Sequence, residues 1–401
     1  MALPYQGNKQ EIAEDLLLFL RRSFPEKQNF YDLFGGGGNI SEVAIKYWKR
    51  VVYNELNTSI YLAFKSLIDG TYEWHLHKSE FITSDVFKEI KAGPDSARRG
   101  LVLCCWSFGN NQMNYLYSKE IEPWKQALHN AKVLNDYSMF EEMEIHSYGN
   151  SIHIQKNKEE FKQKYIKWFV KKFHNTEIDL VELSKNLTEK IKDNEESLRN
   201  YLLDSLKKSG LTQSEVGRRL NTQMHGHYFG KSQWSFPTIE EYNKMRQFME
   251  LAEYHEVYGL QDLYESLQSL ESLERLQSLQ SLERLQSLES LESLESLESY
   301  NFDYKDVFIK ENSMVYCDIP YNSNKTKGSY GLQFDHETFY KWAADQNETV
   351  VFSDYLENVP KEFEVIWSKS KVNKLAGGGG KKSTEILAWN KKGNLIQTTL
   401  F

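Results

Sequence analysis

Short, dense apolar runs mark the two ends of this chain. "NFYDLF" at 29–34 is stopped by four glycines, and "VVYNEL" at 51–56 and "GLVLCCWSF" at 100–108 follow. Runs this short, rich in Val, Tyr, Phe and Cys and bounded by Gly and Asn, predict strands. Between the first two, "NISEVAIKYWKR" at 39–50 has helical spacing. Strands alternating with helices predict a parallel sheet. Residues 151–262 differ: they are charged, poor in Val and helix-leaning. The strand pattern returns after about residue 300, in "SMVYCDIPY", "ETVVFSDY", "FEVIWSKSK" and "TEILAWN". The expected architecture is one α/β domain split by a mainly helical insertion.

Residues 263–297 obey neither rule. Leu recurs every third residue within Ser-Leu-Glu or Ser-Leu-Gln triplets. Three residues turn an α-helix by about 300°, so a leucine stripe of this period winds around the rod instead of forming a seam. Leu, Glu and Gln still favour helix. The segment reads as a length-tolerant linker formed by repeat expansion, with an interaction rod as the sharper alternative. The expected organisation is therefore 1–150 and 300–401 as one catalytic domain, 151–262 as an inserted recognition domain, and 263–299 as the linker.

Composition narrows the class. The chain has 401 residues, 40 % hydrophobic and 26 % charged, which suits a globular protein with more than one domain. No signal peptide is expected from "MALPYQGNKQEIAEDLLLFLRRS", where acids interrupt the apolar stretch, and no run reaches the roughly 18–20 residues of a membrane span. Cys104, Cys105 and Cys317 have no zinc-ligand spacing; they fit a reducing cytoplasm and predict neither a disulfide framework nor a metal site. Net charge is −8, of which residues 261–300 contribute −7 through nine acids and two arginines. The basic stretch "QKNKEEFKQKYIKWFVKKFHN" at 155–175 is what phosphates would meet, unless it is simply a solvated helix face.

Candidate chemistry sits at the ends of the strand runs. In "DLFGGGGNIS" a glycine loop follows a strand and opens a helix, so the backbone can turn sharply and approach a ligand. The third glycine of the dinucleotide fingerprint is missing. Glu55 ends the second run about twenty residues on, at the usual place of a ribose-hydroxyl acceptor. Asp318 ends the run "SMVYC" and is followed by Ile319, Pro320 and Tyr321. Open α/β sheets bind ligands at that edge. In the insertion, "LTQSEVGRRL" at 211–220 reads as the first helix of a helix-turn-helix unit. Thr212 is its N-cap, Glu215 closes a capping box, and Val216 and Leu220 share a face. The following "NTQMHGHYFGKSQW" carries base-reading candidates Gln223, His225, His227, Lys231 and Gln233, with Arg218 and Arg219 set for phosphate. An ordinary helical hairpin is the plainer alternative. His225-x-His227 lacks further ligands, so no metal is expected.

"PYQGNK" at 4–9, "DLFGGGG" at 32–38 and "DIPY" at 318–321 occur in that order, and with "SFGNN" at 107–111 they resemble the Dam-like DNA adenine-N6 methyltransferases, particularly those of phages. The resemblance covers about 1–150 and 300–401, with the family's α arrangement placing target recognition between the two motifs. It implies a Rossmann-like S-adenosylmethionine-dependent methyltransferase domain, double-stranded DNA as partner, a monomer, and a cytoplasmic place in a bacterial or phage-infected cell, in a restriction-modification setting. Asp318 and the Ile319 carbonyl would accept hydrogen bonds from the adenine amine, Pro320 would stiffen the turn, and Tyr321 would stack on the flipped base. Tyr5, Lys9, Phe34, Gly36, Gly38, Glu55, Asp303, Tyr304 and Asp318 would contact the cofactor. Ile319 departs from the family's more frequent proline, which removes some rigidity but keeps the carbonyl. A cytosine-N4 methyltransferase would use the same logic, as would a protein-glutamine methyltransferase, against which the insertion argues. An inactive DNA-binding regulator on the same fold is the reading from another class.

Overall fold

A computed structural model of the chain describes residues 2–7, 9–71, 79–145, 158–174, 196–230, 235, 237–251, 258, 262–263, 265–266, 283–284, 297–320, 334–372 and 382–396. The chain forms two compact units. One comprises Met1–Ser118 and Ser278–Phe401, the other Lys119–Gln277.

The first unit is a mixed α/β fold built on a seven-stranded, mostly parallel sheet compatible with a Rossmann-like fold. Its strands are β1 (Asn29–Asp32), β2 (Arg50–Asn54), β3 (Leu297–Tyr300), β4 (Ser313–Cys317), β5 (Thr349–Tyr355), β6 (Glu364–Val372) and β7 (Lys382–Trp389), in the order β3-β2-β1-β4-β5-β7-β6. β1 through β5 are parallel to one another, and β7 runs antiparallel to both β5 and β6. The dense apolar runs follow from burial on both faces. Phe30, Val51, Met314, Tyr316 and Val351 face one core with helix α1 (Ala13–Ser23). Their neighbours Tyr31, Val52, Val315, Val350 and Phe352 face the other with the helix His336–Asp345. Every residue of β4 is buried.

After β1, helix α2 (Asn39–Ala44) starts from Gly38, whose φ of 85° demands glycine. After β2, α3 (Thr58–Ile68) is capped by Asn57, which accepts from the Ile60 amide. Helices α4 (Ser84–Ala92) and α5 (Ala97–Cys105) follow. Here the structure corrects the sequence reading: "GLVLCC" is not a strand but the body of α5. Ser96 caps that helix by accepting from Arg99, and Gly100 lets it lie against α3. A fully buried helix and a central strand carry the same unbroken apolar run, so periodicity did not separate them.

The repeat supplies a structural element as well. Its last triplet, Leu297-Glu298-Ser299, forms edge strand β3 beside β2, where Glu298 pairs with Arg50 at 2.6 Å. Upstream, the Arg284 guanidinium donates to the carbonyls of Cys105 and Ser107, both at 2.9 Å, at the C-terminal end of α5. Residues 267–282 and 285–296 of the repeat lie outside the described residues.

In the second unit, a helix over 196–209 packs with Gln213–Leu220, His225–Phe229 and Ile239–Met245 around Leu202, Val216, Leu220, Tyr228, Tyr242 and Met245. The basic stretch forms helix Lys158–His174, with Phe161, Tyr165, Ile166, Phe169 and Val170 buried and Lys162, Lys164, Lys167, Lys171 and Lys172 exposed or half-buried. The Tyr165 hydroxyl donates to the Glu120 carbonyl at 2.6 Å, and its ring meets Trp124. These contacts draw 119–145 into the second unit, so its boundary falls at 118/119, ahead of the expected 150. Among the described residues no helix is long and apolar enough to cross a membrane.

Candidate active site

Strand order reverses between β1 and β4, the place where open α/β sheets bind ligands beyond the carboxyl ends of their strands. β1 ends in Asp32 and β4 is followed by Asp318, so two carboxylates flank this point. The Asp318 side chain is 22 % exposed, enough for a ligand to reach it. Ile319 is buried in the core beside β4, and the Pro320 carbonyl lies 2.7 Å from His336 Nε2. Tyr321 lies outside the described residues.

The glycine loop is shaped by its neighbours. A methyl at Gly35 would meet the Tyr53 ring at 2.3 Å, one at Gly36 the Tyr5 ring at 3.0 Å, and one at Gly37 the Leu3 carbonyl at 2.3 Å. The N-terminal segment crosses the loop there, held by the Leu3 amide on the Gly37 carbonyl at 2.8 Å. Three of the loop's amides are already engaged: Gly35 donates to Asn54, Gly38 to Gly35, and Gly36 to the Glu55 carboxylate, each at 2.8 Å. The second Glu55 oxygen accepts from Asn57 at 2.7 Å. Burial raises the Glu55 pKa, and these amide bonds oppose that rise. An ionised carboxyl has about four acceptor sites, so Glu55 can brace the loop and still receive hydroxyl donors.

Phe34 meets Tyr304, with ring centroids 5.3 Å apart, inside an aromatic cluster with Phe334, Phe339 and Trp342. Asp303 accepts from the Lys305 amide at 3.0 Å and so caps the short turn that carries Tyr304. Asn54 ties the parts together by donating to the Leu33 and Phe302 carbonyls. Gln112, which follows the "SFGNN" segment and donates its amide to Ser107 at 3.0 Å, accepts from the Asn57 side chain at 3.3 Å.

Lys9 is buried with its ammonium 2.8 Å from Asp318 and 2.7 Å from Glu385 on β7. Burial pulls its pKa down, but Asp318, Tyr316 and Glu385 outweigh burial and hold it above the ordinary lysine value. Asp32 is fully buried. One of its oxygens accepts from Ser41 at 2.8 Å and the other has no hydrogen-bond partner. Burial, with Asp318 and Glu55 adding repulsion, pushes its pKa up to about 7.

The structure thus brings Tyr5, Gly36, Gly38 and Glu55 together, Phe34 with Tyr304, and Lys9 with Asp318. Sequence reasoning missed Asp32 and Glu385. An acid closing the run "NFYD" was the same signal that singled out Asp318. Glu385 gave none, because an acid within an alternating strand reads as solvent-facing. Among the described residues no group of three or more His, Cys, Asp or Glu is arranged to hold a metal ion.

In the second unit the capping box forms as expected, with Glu215 and Thr212 each accepting from the other's amide. Arg218 and Arg219 are exposed, and Arg219 lies over the Phe248 ring at 5.0 Å. Gln223 is exposed and His227 half-buried. His225 packs on Gly217, where an added methyl would meet its ring nitrogen at 2.3 Å, so it joins the two helices. Lys231 and Gln233 lie outside the described residues.

No protein-family model matches the chain, and no curated protein is significantly similar to it.

Proposed function

We propose that the chain is a DNA adenine-N6 methyltransferase that uses S-adenosylmethionine. The observation that carries this reading is the acidic character of the loop and strand ends at the point where strand order reverses. Asp318 and Glu385 share the ammonium of Lys9 there, while Asp32 and Glu55 add two further buried carboxyls that interact with each other. A dinucleotide would bring a pyrophosphate, which needs loop amides and positive charge. Here Gly36 donates to Glu55 instead, and the unpartnered Asp32 oxygen calls for a donor or a cation. That environment suits a sulfonium compound with an amino group.

Asp32, Glu55 and the Phe34–Tyr304 pair would hold the cofactor, which supplies an electrophilic methyl group. Asp318 and the Ile319 carbonyl would accept hydrogen bonds from the amine of a base turned out of the duplex, aiming its lone pair at that methyl group. Rate would come from positioning, which can supply a large part of such a barrier. Arg218 and Arg219 would contact phosphate, with Gln223, Lys231 and Gln233 left to read base edges.

The test is transfer of a labelled methyl group to duplex DNA by the purified chain, with mass spectrometry of the hydrolysed product. N6-methyladenine is expected, and N4-methylcytosine would move the assignment to the related class. Asp318→Ala and Asp318→Asn should lower turnover by at least about 100-fold while calorimetry still detects cofactor binding. Near-normal turnover in both variants would remove Asp318 from the reaction.

A further inference from the structure

Lys9 draws together three parts of the first unit. Its carbonyl accepts from the Ile12 and Ala13 amides at the start of α1, which fixes its backbone. Its ammonium reaches Asp318 after β4 and Glu385 on β7. β7 runs antiparallel with Glu385 opposite Tyr355, the last residue of β5. That reversal delivers a carboxylate near the start of one strand to the edge where the parallel strands end. A buried ammonium needs acceptors, and a charge-assisted hydrogen bond from it fixes the rotation of the carboxylate that accepts it.

We propose that Glu385 is a positioning residue: it holds the Lys9 ammonium, and Lys9 in turn fixes the rotation of the Asp318 carboxylate toward the reacting amine. What Asp318 does rests on the methyltransferase reading; what Glu385 holds rests on geometry alone. With Glu385 removed, Lys9 loses that carboxylate and gains room to move, and Asp318 turns with it. Misplacement of a reacting group by about 1 Å is enough to cost about 100-fold in rate.

The test compares the full chain with Glu385→Gln, which keeps size and one acceptor oxygen, and Glu385→Ala, which keeps neither. Methyl transfer to duplex DNA gives kcat and KM, and thermal unfolding gives the folded fraction. Nitrogen–proton correlation NMR of the lysine ammonium groups reports on Lys9, assigned by its absence in Lys9→Arg. The Lys9 resonance should shift in Glu385→Gln and broaden or vanish in Glu385→Ala. Turnover should fall roughly 10- to 100-fold in the alanine variant and less in the glutamine variant, with KM for DNA unchanged. An unmoved Lys9 resonance in both variants overturns the holding role whether or not the protein turns over. A moved resonance with unchanged kcat, or a loss that only follows the unfolded fraction, overturns the positioning role and leaves the methyltransferase reading standing. If the wild-type chain transfers no methyl group, that reading fails and the positioning role with it, while the resonance still reports what Glu385 holds.

Discussion

Asp32 is a buried carboxyl with one unpartnered oxygen, and its proton has a measurable consequence. In the folded chain the proton stays until about pH 7, whereas an unfolded aspartate loses it near pH 4. Between those values the folded state binds more protons. The stability this group contributes is therefore complete below about pH 4 and lost as pH rises to about 7. Asp32→Asn has no such slope. Urea unfolding at stepped pH should show the wild type losing up to about 4 kcal/mol relative to the variant across that window. Parallel curves would mean that Asp32 is ionised throughout. Asp318 was legible because an acid ends an apolar run, but the Lys9 bridge to Glu385 was not. It joins residues 9, 318 and 385, and no local pattern encodes a contact between a leading segment and a late strand.

Among the elements, the short β-rich runs gave six of the seven strands because each is bounded by turn residues and lies within a buried sheet. The run at 100–105 went the other way. What decides it is Gly100, where a methyl would lie 2.0 Å from the Ser59 carbonyl and 2.8 Å from Ala63. The close approach of α5 to α3 depends on that missing side chain. Gly100→Ala should cost about 1–3 kcal/mol and lower the thermal midpoint by several degrees. Gly226, inside helix His225–Phe229, has nothing within 4 Å of its added methyl. Gly226→Ala should be neutral or stabilising by about 0.5–1 kcal/mol, since alanine is the better helix former. An equal loss in both would point to a shared denatured-state effect rather than the α3–α5 contact.

At the scale of the molecule, the net charge of −8 conceals its distribution, because residues 261–300 carry −7 of it. DNA affinity should therefore follow local groups. Arg218→Ala and Arg219→Ala should weaken binding to specific and random duplex alike, each reducing the salt slope by about 1, whereas Gln223→Ala should cost roughly 1–3 kcal/mol on the specific site alone. Binding curves at two salt concentrations separate the roles, and no change in any variant would move recognition to the helix Lys158–His174. The split of the α/β domain was readable from composition, but the placement of β7 between β5 and β6 was not, since strand order is set by long-range pairing. The last structural lesson lies in β3. Residues 288–299 are four identical Leu-Glu-Ser copies, and the sheet uses the final one, held by Arg50 on Glu298 and followed by Tyr300. Replication slippage that adds or drops a whole copy delivers the same three residues, in the same phase, to the sheet edge. A change in copy number would thus leave the edge strand's own sequence as it is, as a belt with evenly spaced holes fastens on the same buckle.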